Sequence, residues 1–506
     1  MTVRVRFAPS PTGHLHVGNL RTALYNWLFA RQNQGTFVLR IEDTDLTRSH
    51  SRFEEELMDD LRWCCLDWDE GVDVGGEYGP YRQTNRLNLY QEHSKQLVNE
   101  EKAYLCFCSV EAIEQERQVQ LATGQPPRYS GKCRDIPPQK ASQRVKDGAT
   151  AVVRMRSRQG IVAFQDIVFG SLEMEGSEIG DFVILRSNGT APYNFACVLD
   201  DVLMKITHVI RGEGHISNTY RQVLLYEALG FQLPHFAHLS TILGKDGTKL
   251  SKRHGATSID EFRQHGFLPG ALLNYLALLG WAPRQEGHEI LTHEQLTAEF
   301  DLSRVNRSPA TFDWEKLNWV NRSHLKKVSP PLLTELAIPY LQDCGWIPLE
   351  PSPEIKEWLE DVIQAVFKYL DTVEDVVQET DLIFRFDPEK DLSDPAVQEA
   401  LSKKGAVEVI REFHDRVQGH QILDLETYQG VVSEVKERTG QKGKNLFHPI
   451  RVALTARSSG PELNKLIPIF EKGQHLNLPA PITPVKDRVQ AVLDHLHDYL
   501  RNQPGD

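Results

Sequence analysis

Val3, Val5 and Phe7 alternate with Arg4 and Arg6, which predicts a short strand at the start of the chain. Leu20, Ala23, Leu24, Trp27 and Leu28 then fall at helical spacing. Between them lies Ala8-Pro9-Ser10-Pro11-Thr12-Gly13-His14-Leu15-His16-Val17-Gly18-Asn19, so the order is strand, tight loop, helix. Pro9 and Pro11 stiffen the loop, because each fixes its own φ and restricts the residue before it. Gly13 and Gly18 carry no Cβ, which leaves the backbone open to close approach. The helix opens with free N–H groups and a positive dipole end, suited to a phosphate, and His16 stands at its mouth as a hydrogen-bond donor. An ordinary βα turn with two structural histidines is the plain alternative.

The pattern continues as α/β. Phe37 to Ile41 reads as an apolar strand that ends in Glu42-Asp43-Thr44-Asp45. Helical spacing follows at Ser51 to Leu61 and Asn85 to Leu97, then as a polar helix over Val110 to Leu121. Strand-like segments occur at Thr150 to Met155, Ile161 to Phe169 and Phe182 to Leu185. A further apolar strand ends in Arg211-Gly212-Glu213. Ligands of doubly wound sheets gather at the carboxyl ends of strands, where Arg6, Glu42 and Arg211 fall. Beyond residue 255 the patterns are helical. Trp358, Val362, Val366 and Leu370 are one helical set, and Pro330-Pro331 suggests a linker.

A length of 506 residues calls for three or four domains. No apolar run approaches a membrane span, and the chain opens directly with a strand, so we expect a cytoplasmic protein without a leader and without membrane association. A net charge of −13 speaks against a non-specific nucleic-acid coat, though one basic face would suffice for RNA recognition. Lys436, Arg438, Lys442, Lys444, Arg451 and Arg457, on either side of Phe447-His448-Pro449-Ile450, are a candidate for such a face, or simply a solvated one. Seven cysteines in a chain this long argue against a disulfide scaffold. Cys64-Cys65 read as packing residues.

A second loop carries Gly244-Lys245-Asp246-Gly247-Thr248-Lys249-Leu250-Ser251-Lys252-Arg253-His254-Gly255, basic and flanked by glycines. Together the two loops resemble the paired signatures of class I aminoacyl-tRNA synthetases. His16-Val17-Gly18-Asn19 stands for His-Ile-Gly-His, and Lys249-Leu250-Ser251-Lys252-Arg253 for Lys-Met-Ser-Lys-Ser. Leu39-Arg40-Ile41-Glu42-Asp43-Thr44-Asp45 adds a likeness to bacterial-type glutamyl-tRNA synthetases. Departures from that family include Asn19, the Cys64-Cys65 pair where leucine-glycine is usual, and Gly214 where aspartate is usual.

The resemblance implies a Rossmann-like parallel-sheet catalytic domain (residues 1–105 and 190–254) with an α/β insertion that binds the acceptor end (106–189). A helical stem-contact domain (255–325) and an all-α anticodon-binding domain (326–506) would follow. It implies an ATP-dependent ligase that forms glutamyl-adenylate and passes the glutamate to tRNA(Glu), with magnesium accompanying the ATP. His16, Gly18, Asn19, Lys249, Ser251 and Lys252 would bind ATP, and His16, Lys249 and Lys252 would act on the phosphates. Arg6, Ala8, Ser10, Glu42, Tyr193 and Arg211 would line the glutamate pocket, Glu42 on the ammonium. The position of Cys197 touches that pocket in some relatives. Arginine suits the task, since its fork clamps a carboxylate with two hydrogen bonds. A monomer is expected, and tRNA(Gln) is a second candidate partner. The alternatives are a glutaminyl-tRNA synthetase, a shorter tRNA-modifying paralogue, a related nucleotidyltransferase and a non-catalytic tRNA-binding paralogue. The helical C-terminal half argues against the first, and the length against the second.

Cys106-Phe107-Cys108 and, beyond a Gly/Pro-rich stretch, Cys133 offer three thiolates of a kind that suits zinc in a reducing compartment. No histidine lies between Cys106 and Cys133, so a fourth ligand must be Tyr129, water or a residue elsewhere. Some members of the resembling family bind zinc through a Cys-x-Cys and Tyr-x3-Cys pattern, which here is Cys106, Cys108, Tyr129 and Cys133. Three buried small residues are the alternative.

Overall fold

The computed structural model describes residues 2–45 and 48–502. The chain divides into two compact units: Met1–Arg263 with Pro269–Val320, and Gln264–Leu268 with Asn321–Asp506.

In the first unit the predicted opening is present. Strand Arg4–Phe7 pairs in parallel with Thr36–Leu39, and helix Val17–Gln32 makes the crossover. Beside them, Thr207 N donates to Arg4 O and Arg4 N to Thr207 Oγ1, each at 2.9 Å. This brings strand His208–Gly212 alongside Arg4–Phe7. His208–Gly212 pairs in parallel with His235–Leu239. Parallel sheets are covered on both faces, and the crossover helix is accordingly buried over most of its surface, Arg21 and Asn26 included. Leu20, Leu24, Tyr25 and Leu28 are fully buried. Tyr25 OH donates to Ala277 O (2.9 Å) and Asn26 Nδ2 to Ile210 O (3.0 Å), which pins the helix between helix Pro269–Leu278 and the sheet.

The segment read as one strand over 161–169 is a hairpin, Ile161–Asp166 with Gly170–Glu175. Asp166 Oδ1 accepts from Val168 N and Phe169 N (2.9 and 2.8 Å), which turns the chain, and Gly170 takes the left-handed φ of 80° that follows. The hairpin joins the main sheet, because Asp166 pairs in parallel with Phe236 of His235–Leu239. A separate antiparallel sheet holds Ala103–Cys106, Val152–Met155 and Phe182–Leu185. Helix Pro138–Lys146 follows Cys133, and Pro138 takes its first helical position, where the missing N–H costs nothing.

The second unit is helical, with no strand among the described residues. Trp358, Val362 and Val366 share the buried face of helix Pro353–Val366, while Leu370 is buried just beyond its end. Pro330-Pro331 opens helix Pro330–Asp343 rather than forming a linker, for the same reason as Pro138. Arg488 is fully buried and donates to the carbonyls of Leu382, Ile383, Thr483 and Leu454. Its guanidinium thereby caps the ends of helices Val376–Phe384 and Lys444–Thr455, which otherwise leave carbonyls unsatisfied. The basic concentration is partly paired within its own unit. Arg457 pairs with Asp381 (2.6 Å), Arg438 with Glu412 (3.4 Å), and Arg451 donates to Pro461 O. Lys436, Lys442 and Lys444 are exposed.

Candidate active site and cysteine cluster

His16 is the N-cap of helix Val17–Gln32, and its Nδ1 accepts from Gly18 N at 3.1 Å. That bond leaves the ring proton on Nε2, the atom free to donate. Burial and the charge of Lys249 lower the imidazole pKa against a weaker pull from Glu261, so the ring is neutral. A Cβ at Gly13 would meet nothing within 4 Å, and one at Gly18 only His16 Nδ1 at an ordinary 3.5 Å. Crowding within the chain therefore requires neither glycine, and the space above them is open. Asn19 is exposed one residue further on.

The second loop is stitched onto the first. Val17 N donates to Thr257 O and Ile259 N to Leu15 O, both at 3.0 Å. Leu250 is buried and anchors the loop, while Lys249 and Lys252 on either side of it are exposed. Ser251 caps the short turn Lys252–His254. The loop's outer glycines serve packing: a Cβ at Gly244 would lie 2.6 Å from His254, and one at Gly255 would lie 2.8 Å from Trp314. Glu261 Oε2 accepts from Thr257 N and Ser258 N (2.8 and 2.9 Å) and lies within electrostatic reach of both His16 and Lys252.

Arg6, Glu42 and Arg211 lie at or just beyond the carboxyl ends of the strands, and all three act electrostatically on Tyr193 together with Cys197. Arg6 Nε donates to Asp201 Oδ1 at 3.1 Å. Arg40 donates to the same oxygen (2.7 Å) and to Glu42 Oε1 (2.9 Å). Although burial opposes ionisation, the two guanidiniums hold the Asp201 carboxyl down at about 2. Burial pushes the Glu42 carboxyl up against the pull of Arg40, and raises the Cys197 thiol to about 12. Glu42 N donates to Pro9 O and Arg40 N to Phe7 O (3.0 Å each), which holds the loop containing Ala8 and Ser10 against the strand end. Ala8 is half-buried and Ser10 exposed.

Arg211 differs from the other two arginines. It is buried, and its partners are Tyr193 OH (3.2 Å), Thr219 Oγ1 (2.7 Å), Gln222 Oε1 (2.7 Å) and His238 Nε2 (3.3 Å). None is a carboxylate. His215, 3.0 Å from Tyr193 OH, is neutral as well, since burial first and then Arg211 lower its pKa to about 3. A Cβ at Gly214 would meet nothing within 4 Å.

The three sulfurs of Cys106, Cys108 and Cys133 lie within 4.8 Å of one another, with Cys108 Sγ 3.7 Å from Cys133 Sγ. Tyr129 OH is 3.4 Å from both Cys106 Sγ and Cys108 Sγ, and accepts from Cys133 N at 2.9 Å. The Arg154 guanidinium covers the Tyr129 ring at 4.1 Å. Elsewhere, a groove of about 620 Å3 beside Trp27, Arg31 and His293 contains none of these residues.

Sequence reasoning missed Arg40, Asp201, Thr219, Gln222 and His238. A lone arginine inside the apolar run Phe37 to Ile41 was the one available signal, since a charge there must be buried and paired.

A parallel sheet with a histidine-capped helix, a lysine loop docked on that cap and a buried arginine site at the same strand ends define a class I tRNA synthetase catalytic domain. The family model described as tRNA synthetases class I (E and Q), catalytic domain, matches residues 2–319, and an anticodon binding domain model matches residues 332–477. The chain belongs to this class I family, among the bacterial glutamate–tRNA ligases. The glutamate–tRNA ligase of Carboxydothermus hydrogenoformans is 45% identical over 470 residues, 92% of this chain and 97% of that protein. The Bacillus subtilis enzyme is 43% identical over 473 residues, 93% and 97% of the two chains. The crystal structure of a glutamate tRNA ligase from Elizabethkingia meningosepticum, in complex with its amino acid, matches with a TM-score of 0.85 at 30% identity, over 98% of this chain and all of that one.

Proposed function

We propose that the chain activates L-glutamate with ATP and transfers it to the 3′ end of tRNA(Glu). Arg211 carries this reading. A buried guanidinium whose hydrogen-bond partners are all neutral favours an incoming carboxylate. The amide of glutamine offers no such charge. Arg6 has no partner at Nη1 among the described residues and takes the second carboxylate, while Glu42 takes the ammonium.

In the first step a carboxylate oxygen attacks the α-phosphate in line and pyrophosphate leaves. A terminal ribose hydroxyl then attacks the mixed anhydride and AMP leaves. Positioning and charge stabilisation suffice for phosphoryl transfer, so no protein nucleophile is needed. His16 Nε2–H steadies the α-phosphate, and Lys249 and Lys252 meet the charge that grows on pyrophosphate. Gly18, Asn19 and Ser251 border the nucleotide, which enters with its magnesium.

Cys106, Cys108, Cys133 and the Tyr129 oxygen fit a zinc ion. Bonds of about 2.3 Å to zinc place tetrahedral sulfurs roughly 3.8 Å apart, against 3.7 Å between Cys108 and Cys133. Zinc there would be structural and would fix the inserted segment that holds the acceptor end.

Exchange of labelled pyrophosphate into ATP, with glutamate or glutamine and with or without tRNA, tests the function. Exchange supported by glutamine rather than glutamate would refute it. Charging of purified tRNA(Glu) and tRNA(Gln) decides the partner, and sedimentation the monomeric state.

A further inference from the structure

Behind Arg211 stands a buried pair whose geometry leaves little freedom. His238 is fully buried on strand His235–Leu239, and its Nδ1 lies 2.6 Å from Asp166 Oδ2. Asp166 is itself fixed. Its Oδ1 accepts from Val168 N and Phe169 N, and its Oδ2 accepts from His238 N at 3.1 Å. A carboxylate can only accept, so the ring proton sits on Nδ1 and Nε2 is a lone pair. That lone pair faces Arg211 Nε at 3.3 Å, with Thr219 Oγ1 3.0 Å away. Burial lowers the pKa of His238 against the opposing pull of Asp166, which keeps the ring neutral and Nε2 an acceptor.

We propose that Asp166 and His238 are positioning residues for the substrate carboxylate. Asp166 selects the tautomer of His238, and His238 holds the Nε edge of Arg211 so that the guanidinium faces the pocket in one orientation. Thr219 and Gln222 hold Nη2 from the other side. The inference rests on the reading of Arg211 as the carboxylate clamp. It adds that the strand end carrying Asp166, in the inserted segment, is part of the amino-acid site.

Asp166→Asn keeps the shape, changes the proton and gives up the bond that Oδ2 accepts from His238 N. The amide oxygen must remain toward Val168 N and Phe169 N, so the amide nitrogen faces His238 and donates to Nδ1. The ring proton moves to Nε2 and opposes the Arg211 Nε–H. Loss of orientation of a substrate-binding group should raise the KM for glutamate roughly tenfold or more, with the KM for ATP unchanged. Nitrogen-15 spectra of the labelled histidines should report the Nδ1–H form in the wild type and the Nε2–H form in Asp166→Asn. A second pair of variants covers the case in which Asp166→Asn does not fold. His238→Gln can still accept from Arg211, and His238→Asn can reach only Asp166. The glutamine variant should stay near wild type, and the asparagine variant should lose glutamate affinity at an equal melting temperature.

A wild-type Nε2–H tautomer, a tautomer switch without a change in glutamate KM, or equal behaviour of the two His238 variants would overturn the proposal. A wild type that shows no exchange with glutamate at all would instead defeat the reading of the pocket.

Discussion

The N–H of Val17 donates to the carbonyl of Thr257 at 3.0 Å, across 240 residues of sequence. This single backbone bond, with Ile259 N to Leu15 O beside it, ties the helix that His16 opens to the loop that carries Lys252. The charge of Lys249 reaches His16 at the helix mouth, and Glu261 lies within electrostatic reach of both His16 and Lys252.

If Lys252 meets the charge on the leaving pyrophosphate, Lys252→Ala should lower the rate of adenylate formation roughly a hundredfold or more, as loss of one preorganised donor does. Lys252 is exposed, so its removal should leave the melting temperature unchanged. Single-turnover formation of the adenylate checks this. A near-wild-type rate would remove the loop from the mechanism.

Arg211→Ala should act on the other substrate. Removing a buried charge partner costs about 2–5 kcal/mol of binding, which corresponds to a thirtyfold or greater rise in the KM for glutamate. Affinity for ATP should hardly change. Steady-state kinetics with each substrate varied in turn would show it. Equal losses for both would indicate a folding defect.

The two signature loops were legible because each is a contiguous run whose residue types name their chemistry. Arg6, Glu42 and Arg211 were legible as strand-end charges, but their partners were not, because the pairs are distant in sequence. Arg40 meets Asp201 across 161 residues and Arg211 meets His238 across 27. Periodicity gives the face on which a residue lies, but not which acid finds which arginine. The strands at Val152–Met155 and Phe182–Leu185 match the sequence reading, but the run from Ile161 hides a hairpin that joins the main sheet at Asp166, a register that no local pattern encodes. Pro330-Pro331 misled because a proline that stops one helix is also well placed to start the next.

His215 makes stability depend on pH. Its pKa is about 3 in the folded protein, through burial and the nearby Arg211, against about 6.5 in an unfolded chain. Above 6.5 both states hold it neutral, and its contribution is complete. As the pH falls below 6.5 the unfolded chain takes up a proton that the folded site refuses, so stability is lost progressively down to about 3. His215→Asn should therefore unfold with a weaker pH dependence than the wild type between pH 6.5 and 4. Thermal melts of the two proteins across that range measure the difference, and identical slopes would contradict the assignment.

The cysteine cluster gives the last expectation. Protein purified without chelator should carry close to one equivalent of zinc. Less than about a tenth of an equivalent, with all three thiols freely titratable, would dismiss the site. Cys108→Ser should lower the zinc content, since a hydroxyl is a poor substitute for a thiolate toward this metal. Tyr129→Phe separates the fourth ligand from the packing. It keeps the ring beneath Arg154 but removes the oxygen 3.4 Å from two sulfurs, so it should weaken zinc retention against a competing chelator more than it lowers the melting temperature. Because the cluster lies at the end of strand Ala103–Cys106, in a sheet separate from the strands that lead to His16, loss of zinc should reduce tRNA charging while pyrophosphate release from ATP and glutamate in a single turnover persists. Parallel loss of both would place the metal in the adenylation site instead.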